Sequence, residues 1–264
     1  VSLPRHTYQV LSTRRMQGND VPWPHDVRIA LPPSHEHGDR SYPVLWVTDA
    51  SLSFPLVVGT HGFYPMSKWV NAGPGGTRME ARSNEMPTGG GADALLSFLV
   101  DELRPRLATE FRFDDGHGLV GFSGGGHFVG FALLSRPAAF GRCLASSRAL
   151  SGCEDLLFTL EADYATTHKD LAAKVFLGAD EAELTDPYLA AADIVGSMTR
   201  MSQLLRPRNY PSLEFTFRLY PRQTHGSALS YALNEGLRTL PGTGSGAPPG
   251  DPCIPSALPS LTPA

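Results

Sequence analysis

The 264-residue chain is poor in cysteine and lysine, and it has no internal repeat and no long apolar run. Its three cysteines, Cys143, Cys153 and Cys253, are few and odd in number, so no disulfide framework is expected. A Cys143–Cys153 pair is compatible with the count, and so are unrelated thiols. The absence of any run of 18 apolar residues excludes an obvious membrane-spanning helix. There is no basic excess either: the net charge is −4, which argues against a nucleic-acid binder. The basic residues are almost all Arg and are scattered, as on a solvated surface. No signal-peptide pattern opens the sequence, which favours the cytoplasm, but the chain opens on Val1 rather than Met and the compartment is not readable.

What is present suits one sizeable core, with apolar residues making up 41%. Strand-like and helix-like segments alternate. Asp26 to Ser34 and Tyr42 to Ala50 read as strands, the second with a continuous apolar run from Val44 to Val47. The stretch from Ser53 to Pro65 is ambiguous, its β-branched residues suggesting a strand. Residues 71–91 read as a long loop rich in Gly, Asn, Ser and Pro. Gly91 to Phe111 reads as a helix with Leu95, Leu96, Leu99, Leu103 and Leu107 on one face, which Pro105 is expected to kink or break. Strands follow at 118–122, around 140–150, at Lys174 to Leu177 and near Leu213 to Pro221, with an amphipathic helix from Pro187 to Pro207. Such alternation predicts an α/β class with a mostly parallel sheet, whose sites lie at the carboxyl ends of the strands. Residues 1–240 are expected to form the domain. Residues 241–264, rich in Pro and Gly, are expected to be a disordered tail.

Glycine, scarce in most helix starts, is dense in "GLVGFSGGGHF" (Gly118 to Phe128). Gly121-Phe122-Ser123-Gly124-Gly125 fits G-x-S-x-G between an apolar strand and an apolar helix. That context marks a nucleophile elbow, where a strained turn exposes the Ser hydroxyl. Gly121 and Gly125 would leave room where strand and helix crowd each other. The Gly124 N–H would face a developing oxyanion. The plainer alternative is a Gly-rich βα turn with a passive Ser.

A Ser hydroxyl needs a base, and the base needs a carboxylate. In sheets carrying such triads the chain order is Ser, acid, His. His225, in a loop after the 213–221 strand, has the right order and place. The acid is sought in "KVFLGADEAEL", which offers Asp180, Glu181 and Glu183. Glu181, three residues after Gly178, is preferred. Asp180 is the alternative, since one residue of register would exchange them. Weaker candidates are His35-Glu36-His37, with a metal-like look but no further ligand spacing, and His61-Gly62, which has the form of an oxyanion loop if a strand precedes it. His127 reads as packing, and Asp114-Asp115 as a turn before the Ser strand. Phe63, Tyr64 and Trp69 could line an apolar pocket.

Four blocks resemble the putative-esterase branch of the α/β hydrolases, a family that includes enterobactin-type siderophore esterases and S-formylglutathione hydrolase-like enzymes. They are "YPVLWVTDA", "GGADALLSFLVDELRP", "LVGFSGGGHFVGFALLSRPAAFGRCLASS", and "VFLGADE" with "THGS". The resemblance implies the α/β-hydrolase fold and serine ester hydrolysis on a small-molecule ester, without metal or organic cofactor. By position it makes Ser123 the nucleophile, Glu181 the acid and His225 the base, with oxyanion donors from the backbone of Gly124 and Ser51. It also reads Phe54 to Thr60 as helical, against the propensity reading. Two departures stand out. Phe122-Ser123-Gly124-Gly125 replaces the family's His-Ser-Leu-Gly, and His61 to Met86 lacks the family's pattern where a core strand and its helix normally fall. An acyltransferase using the same triad, and an inactive hydrolase-like binding protein, stand as rival readings.

Overall fold

In the computed structural model, the described residues are 8–22, 24–36, 38–49, 51–63, 70–75, 91–148 and 156–240. Strands β1 (Gln9–Val10) and β2 (Arg14–Met16) lie antiparallel to β3 (His25–Leu31). After a 3₁₀ turn (Pro33–Glu36) come β4 (Tyr42–Val47), α1 (Ser53–Phe63) and β5 (Val70–Gly75). Helix α2 runs in three contiguous pieces: Gly91–Ser97, Phe98–Leu103 and Arg104–Ala108. Then follow β6 (Phe113–Phe122), α3 (Gly124–Ser135), β7 (Arg142–Ser146) and α4 (Leu156–Thr167). The chain continues through β8 (Lys174–Asp180), α5 (Ala182–Thr185), α6 (Pro187–Ala191), α7 (Ile194–Leu205), β9 (Glu214–Tyr220) and α8 (His225–Thr239).

The strands form one sheet in the order β1-β3-β5-β4-β6-β7-β8-β9, with β2 also on β3. From β5 to β9 every pairing is parallel, and β3 runs antiparallel to β5. Parallel sheets need cover on both faces, which is why the central strands read as unbroken apolar runs. Leu45, Val47, Val120, Phe122, Leu144 and Phe176 pack against Val57 of α1 and Leu229, Ala232 and Leu233 of α8. Val44, Trp46, Leu119, Cys143, Ala145, Val175 and Leu177 face the other way, into a core completed by α2, α3, α4 and α7. The period of two along each strand thus sorts its side chains into two cores.

Several expectations change. Ser53–Phe63 is a helix, so tertiary packing overrides the β-branched composition and the resemblance reads this segment correctly. Residues 71–75, expected in a loop, lie in β5, which bridges β3 and β4 and fills the place left open in the sheet. Pro105 does not break α2. The preceding six residues open into a π-helix, which absorbs the lost N–H and the clash of the proline ring with the previous turn. Asp114 and Asp115 lie within β6, at an irregularity opposite Pro43 where Asp114 Oδ1 accepts the Gly116 N–H at 2.7 Å. The expected 187–207 helix is two, because Asp193 takes a left-handed conformation (φ 48°) that ends one and begins the other. Residues 241–264, Tyr64, Trp69 and Cys153 lie outside the described residues.

Candidate active site

Four chain segments end at the same rim of the sheet: β6 at Phe122, β7 at Ser146, β8 at Asp180 and β9 at Tyr220. Ser123 is the first residue beyond β6 and caps α3 with φ 53° and ψ −117°, a region costly for a residue with a side chain. Neighbouring bonds hold it there. Its N–H donates to Ser146 O at 2.9 Å, and its carbonyl accepts from His127 N at 3.1 Å. The glycines have steric reasons. A Cβ on Gly121 would drive into the Gly125 carbonyl, and a Cβ on Gly125 would strike Thr48 and Asp49. The strand–turn–helix crossing therefore needs bare backbone at Gly121, where the obstacle is itself backbone, while a side chain at Gly125 would have to displace the Thr48 and Asp49 side chains. Helix α3 tolerates its glycines because it is buried along most of its length, so packing rather than propensity stabilises it.

His225 is the first residue of α8 rather than part of a loop. Thr224 caps that helix, with its N–H donating to Ser227 Oγ at 2.9 Å in a capping box. The imidazole ring lies 4.7 Å, centroid to centroid, from the ring of Phe122, the residue before Ser123. Its Nδ1 meets Oε1 of Glu183 at 2.6 Å, which leaves Nε2 as the other polar edge of the ring.

The carboxylate at His225 is thus Glu183, not Glu181. Strand β8 runs three residues further than the sequence suggests, and residues after Asp180 turn at once into α5. Across that turn Glu181 points outward, its Oε2 accepting the Arg222 N–H at 2.7 Å, while Glu183 is 1% exposed. Asp180 is buried beside it. The Asp180 N–H donates to Glu183 Oε2 at 3.1 Å, and the Glu183 N–H donates to Asp180 Oδ1 at 3.2 Å. This reciprocal pair has the bonding pattern of a capping box set one residue before the Glu181 cap of α5, and its Asp-x-x-Glu spacing is the signal in the sequence that would have singled out Glu183. Burial, then the hydrogen bond and charge of Glu183, push the Asp180 carboxyl up to about 7. Burial would raise Glu183 as well, but hydrogen bonds from His225 and Asp180 outweigh it and hold that carboxyl below its ordinary value.

Donor atoms of Asp180, Glu183 and His225 lie within 4.8 Å of one another, the one such group among the described residues with the spacing of a cation site. Nδ1 and Oε1 face each other at a hydrogen-bonding distance, however, and a cation would have to part them. His35 instead packs at a tilt against Tyr42, with ring centroids 5.5 Å apart. His61 falls inside α1, not in a loop after a strand. His127 is buried in α3, and Cys143 is free and buried, its thiol pushed up to about 12. The second oxyanion candidate, Ser51, lies within a turn in which the Leu52 and Ser53 N–H groups both donate to Asp49 O at 2.9 Å, Asp49 itself being left-handed (φ 58°). Contact of Thr48 and Asp49 with the Gly125 backbone brings this turn alongside the Ser123 turn.

Comparison with known proteins gives the family and the fold. The family model described as putative esterase matches residues 18–195. An IroE-like serine hydrolase from Shewanella oneidensis superposes with a TM-score of 0.73 at 23% identity, over 88% of this chain and 79% of that one. The BES protein from Bacillus cereus gives 0.74 at 22% identity, over 87% and 94%. A siderophore hydrolase, EstB, from Aspergillus nidulans gives 0.72 at 18% identity, over 91% and 96%. No described helix is long and apolar enough to cross a membrane. With its α/β-hydrolase sheet and the matched 18–195 segment, the chain belongs to the putative esterase family and is a carboxylic ester hydrolase.

Proposed function

We propose that the protein cleaves small-molecule esters through an acyl-enzyme on Ser123, with His225 as base and Glu183 as its carboxylate. The observation that carries the reading is the 2.6 Å bond from Glu183 to His225, on a ring packed at a tilt against Phe122, the residue that precedes Ser123. In this reading His225 Nε2 takes the Ser123 proton as Oγ attacks the ester carbonyl. Glu183 fixes the tautomer and stabilises the imidazolium that forms. The oxyanion is met by the Gly124 N–H, at the positive end of α3, and by the Ser51 N–H. His225 then returns its proton to the departing alcohol, and water repeats the cycle on the acyl group. Each oxyanion donor would contribute roughly 3 kcal/mol to the barrier.

The siderophore hydrolase among the structural neighbours supports siderophore-like esters as the substrate class. The test is a panel of esters of graded acyl length, with a trilactone and a hydroxamate-siderophore ester included, combined with fluorophosphonate labelling. Labelling at Ser123 that is lost in Ser123→Ala, with turnover highest on the siderophore esters, is expected. An unlabelled Ser123 in folded, ester-hydrolysing protein would overturn the nucleophile. Turnover confined to simple aryl esters would overturn the substrate class.

A further inference from the structure

Two carboxyl groups share the acid turn, and the proposed mechanism uses one. Asp180 is 0% exposed and Glu183 1%. The reciprocal backbone bonds occupy one oxygen of each, Asp180 Oδ1 and Glu183 Oε2. Of the remaining two, Glu183 Oε1 has His225, while Asp180 Oδ2 is buried without a hydrogen-bond partner. A bare anionic oxygen in that position would be costly. A neutral carboxyl costs far less and can turn its O–H toward the neighbouring carboxylate.

The charges around the pair point the same way. Among the described residues, the titratable side chains facing Asp180 are Glu183 on α5 and His225 on α8. Tyr220, its register partner on β9, sends its hydroxyl to Glu235 instead. Arg222 contributes only its backbone N–H, and that goes to Glu181. On β7 the uncharged Ser146 pairs with Gly178, two residues before Asp180, and the uncharged Ser147 follows the strand. Two buried carboxyls within 4.8 Å of one imidazole cannot both ionise cheaply when at most one positive charge is available.

We infer that Asp180 is a positioning residue for the hydrolysis. It holds a proton that it shares with Glu183, so that Glu183 stays the single carboxylate and keeps its hold on His225. The inference rests on the Ser123–His225–Glu183 reading for its catalytic consequence, but not for the proton itself. The proton sits on an Asp180 oxygen, donated toward Glu183, and Glu183 keeps its other oxygen for Nδ1. When Asp180 loses that proton, the turn carries two adjacent negative charges and the bond to His225 is strained.

The linkage has a definite sign. The folded carboxyl is raised to about 7 from an ordinary 3.8. Its contribution to stability is therefore complete below 3.8 and is lost as the pH rises through the folded value. An Asn at this position mimics the protonated acid in shape and in its donor. The experiment compares the full-length wild type with D180N and D180L, by melting temperature from pH 4 to 9, by the infrared carbonyl stretch of protonated carboxyls, and by kcat and KM. The D180N protein should gain on the wild type steadily from pH 4 to about 7, with a constant lead above that. A protonated-carboxyl band should be present in the wild type at pH 6, fade above pH 7, and be missing at pH 6 from D180N. In D180L kcat should fall at least tenfold with KM within threefold, and D180N should recover most of that loss. A lead of D180N that is already constant between pH 5 and 8, or a pH 6 band unchanged in D180N, would overturn the shared proton. Equal kcat in D180L and D180N would overturn the positioning role. If D180L does not fold, the band and the melting curves of D180N decide. Failure of the triad itself would appear differently, as full activity in E183Q with the infrared band still present.

Discussion

The Ser123 turn and the Asp180–Glu183 turn are both strand-to-helix junctions at one rim of the same sheet, built from opposite materials. The first is bare: backbone meets backbone at Gly121 and Gly125, and the single side chain of consequence is held in a strained conformation. The second is crowded: two buried acids bond each other's backbone, and one reaches on to an imidazole. In the first, position follows from steric necessity, which leaves few alternatives. In the second, three acids within four residues compete, and burial chooses among them. A turn defined by what it cannot hold is robust to reading, whereas a turn defined by what it must bury depends on its surroundings.

This contrast can be broken or sharpened by substitution. The largest effect is expected from Ser123→Ala, a loss of at least about 10⁴-fold in kcat with fold and melting temperature retained. Glu183→Gln should follow with about 10²–10⁴-fold, the range of a lost base orientation, measured as kcat/KM on one aryl ester. Gly121→Ala should cost about 3 kcal/mol in denaturant unfolding, because the obstacle is a carbonyl that cannot rotate away. Gly141→Ala, with open space around it, should stay within about 0.5 kcal/mol. The smallest effect is expected from Glu181→Gln, within about threefold in kcat/KM, as for a surface change. Equal losses in the Glu181 and Glu183 variants would erase the distinction between the two turns.

A further pH test lies at the opposite rim. His117 is pushed down to about 4 by burial and by the charges of Arg104 and Arg142, and its Nδ1 faces the Trp46 indole N–H at 3.4 Å. For a depressed histidine, stability is complete above the ordinary value of 6.5 and is lost as the pH falls toward the folded value. The melting temperature of the wild type should therefore drop faster than that of His117→Asn between pH 6.5 and 4.

The central strands were legible because each is an apolar run bounded by turn residues, and so was α2, whose Leu96, Leu99, Leu103 and Leu107 are all buried. Helix α1 was not, because valines and a glycine carry no helical signal and only its docking between the sheet and α8 makes it one. Strand β5 was hidden for a related reason: Val70–Gly75 has turn-like composition and becomes a strand because β3 and β4 offer edges on both sides. At the site, the resemblance placed Ser123 and His225 where the rim brings them, while Glu181 lost the histidine to Glu183 through a longer strand and an immediate helical turn.

The amino-acid order alone determined the alternation of strands and helices, the glycine-lined serine turn and the order of serine, acids and histidine along the chain. Those features depend on local sterics and on apolar periodicity, which neighbours in sequence suffice to set. Which carboxylate meets the imidazole, and which of two acids keeps a proton, were decided only when β8, α5 and α8 packed together. Burial and charge pairing act between residues brought together by folding, and no stretch of sequence carries them by itself.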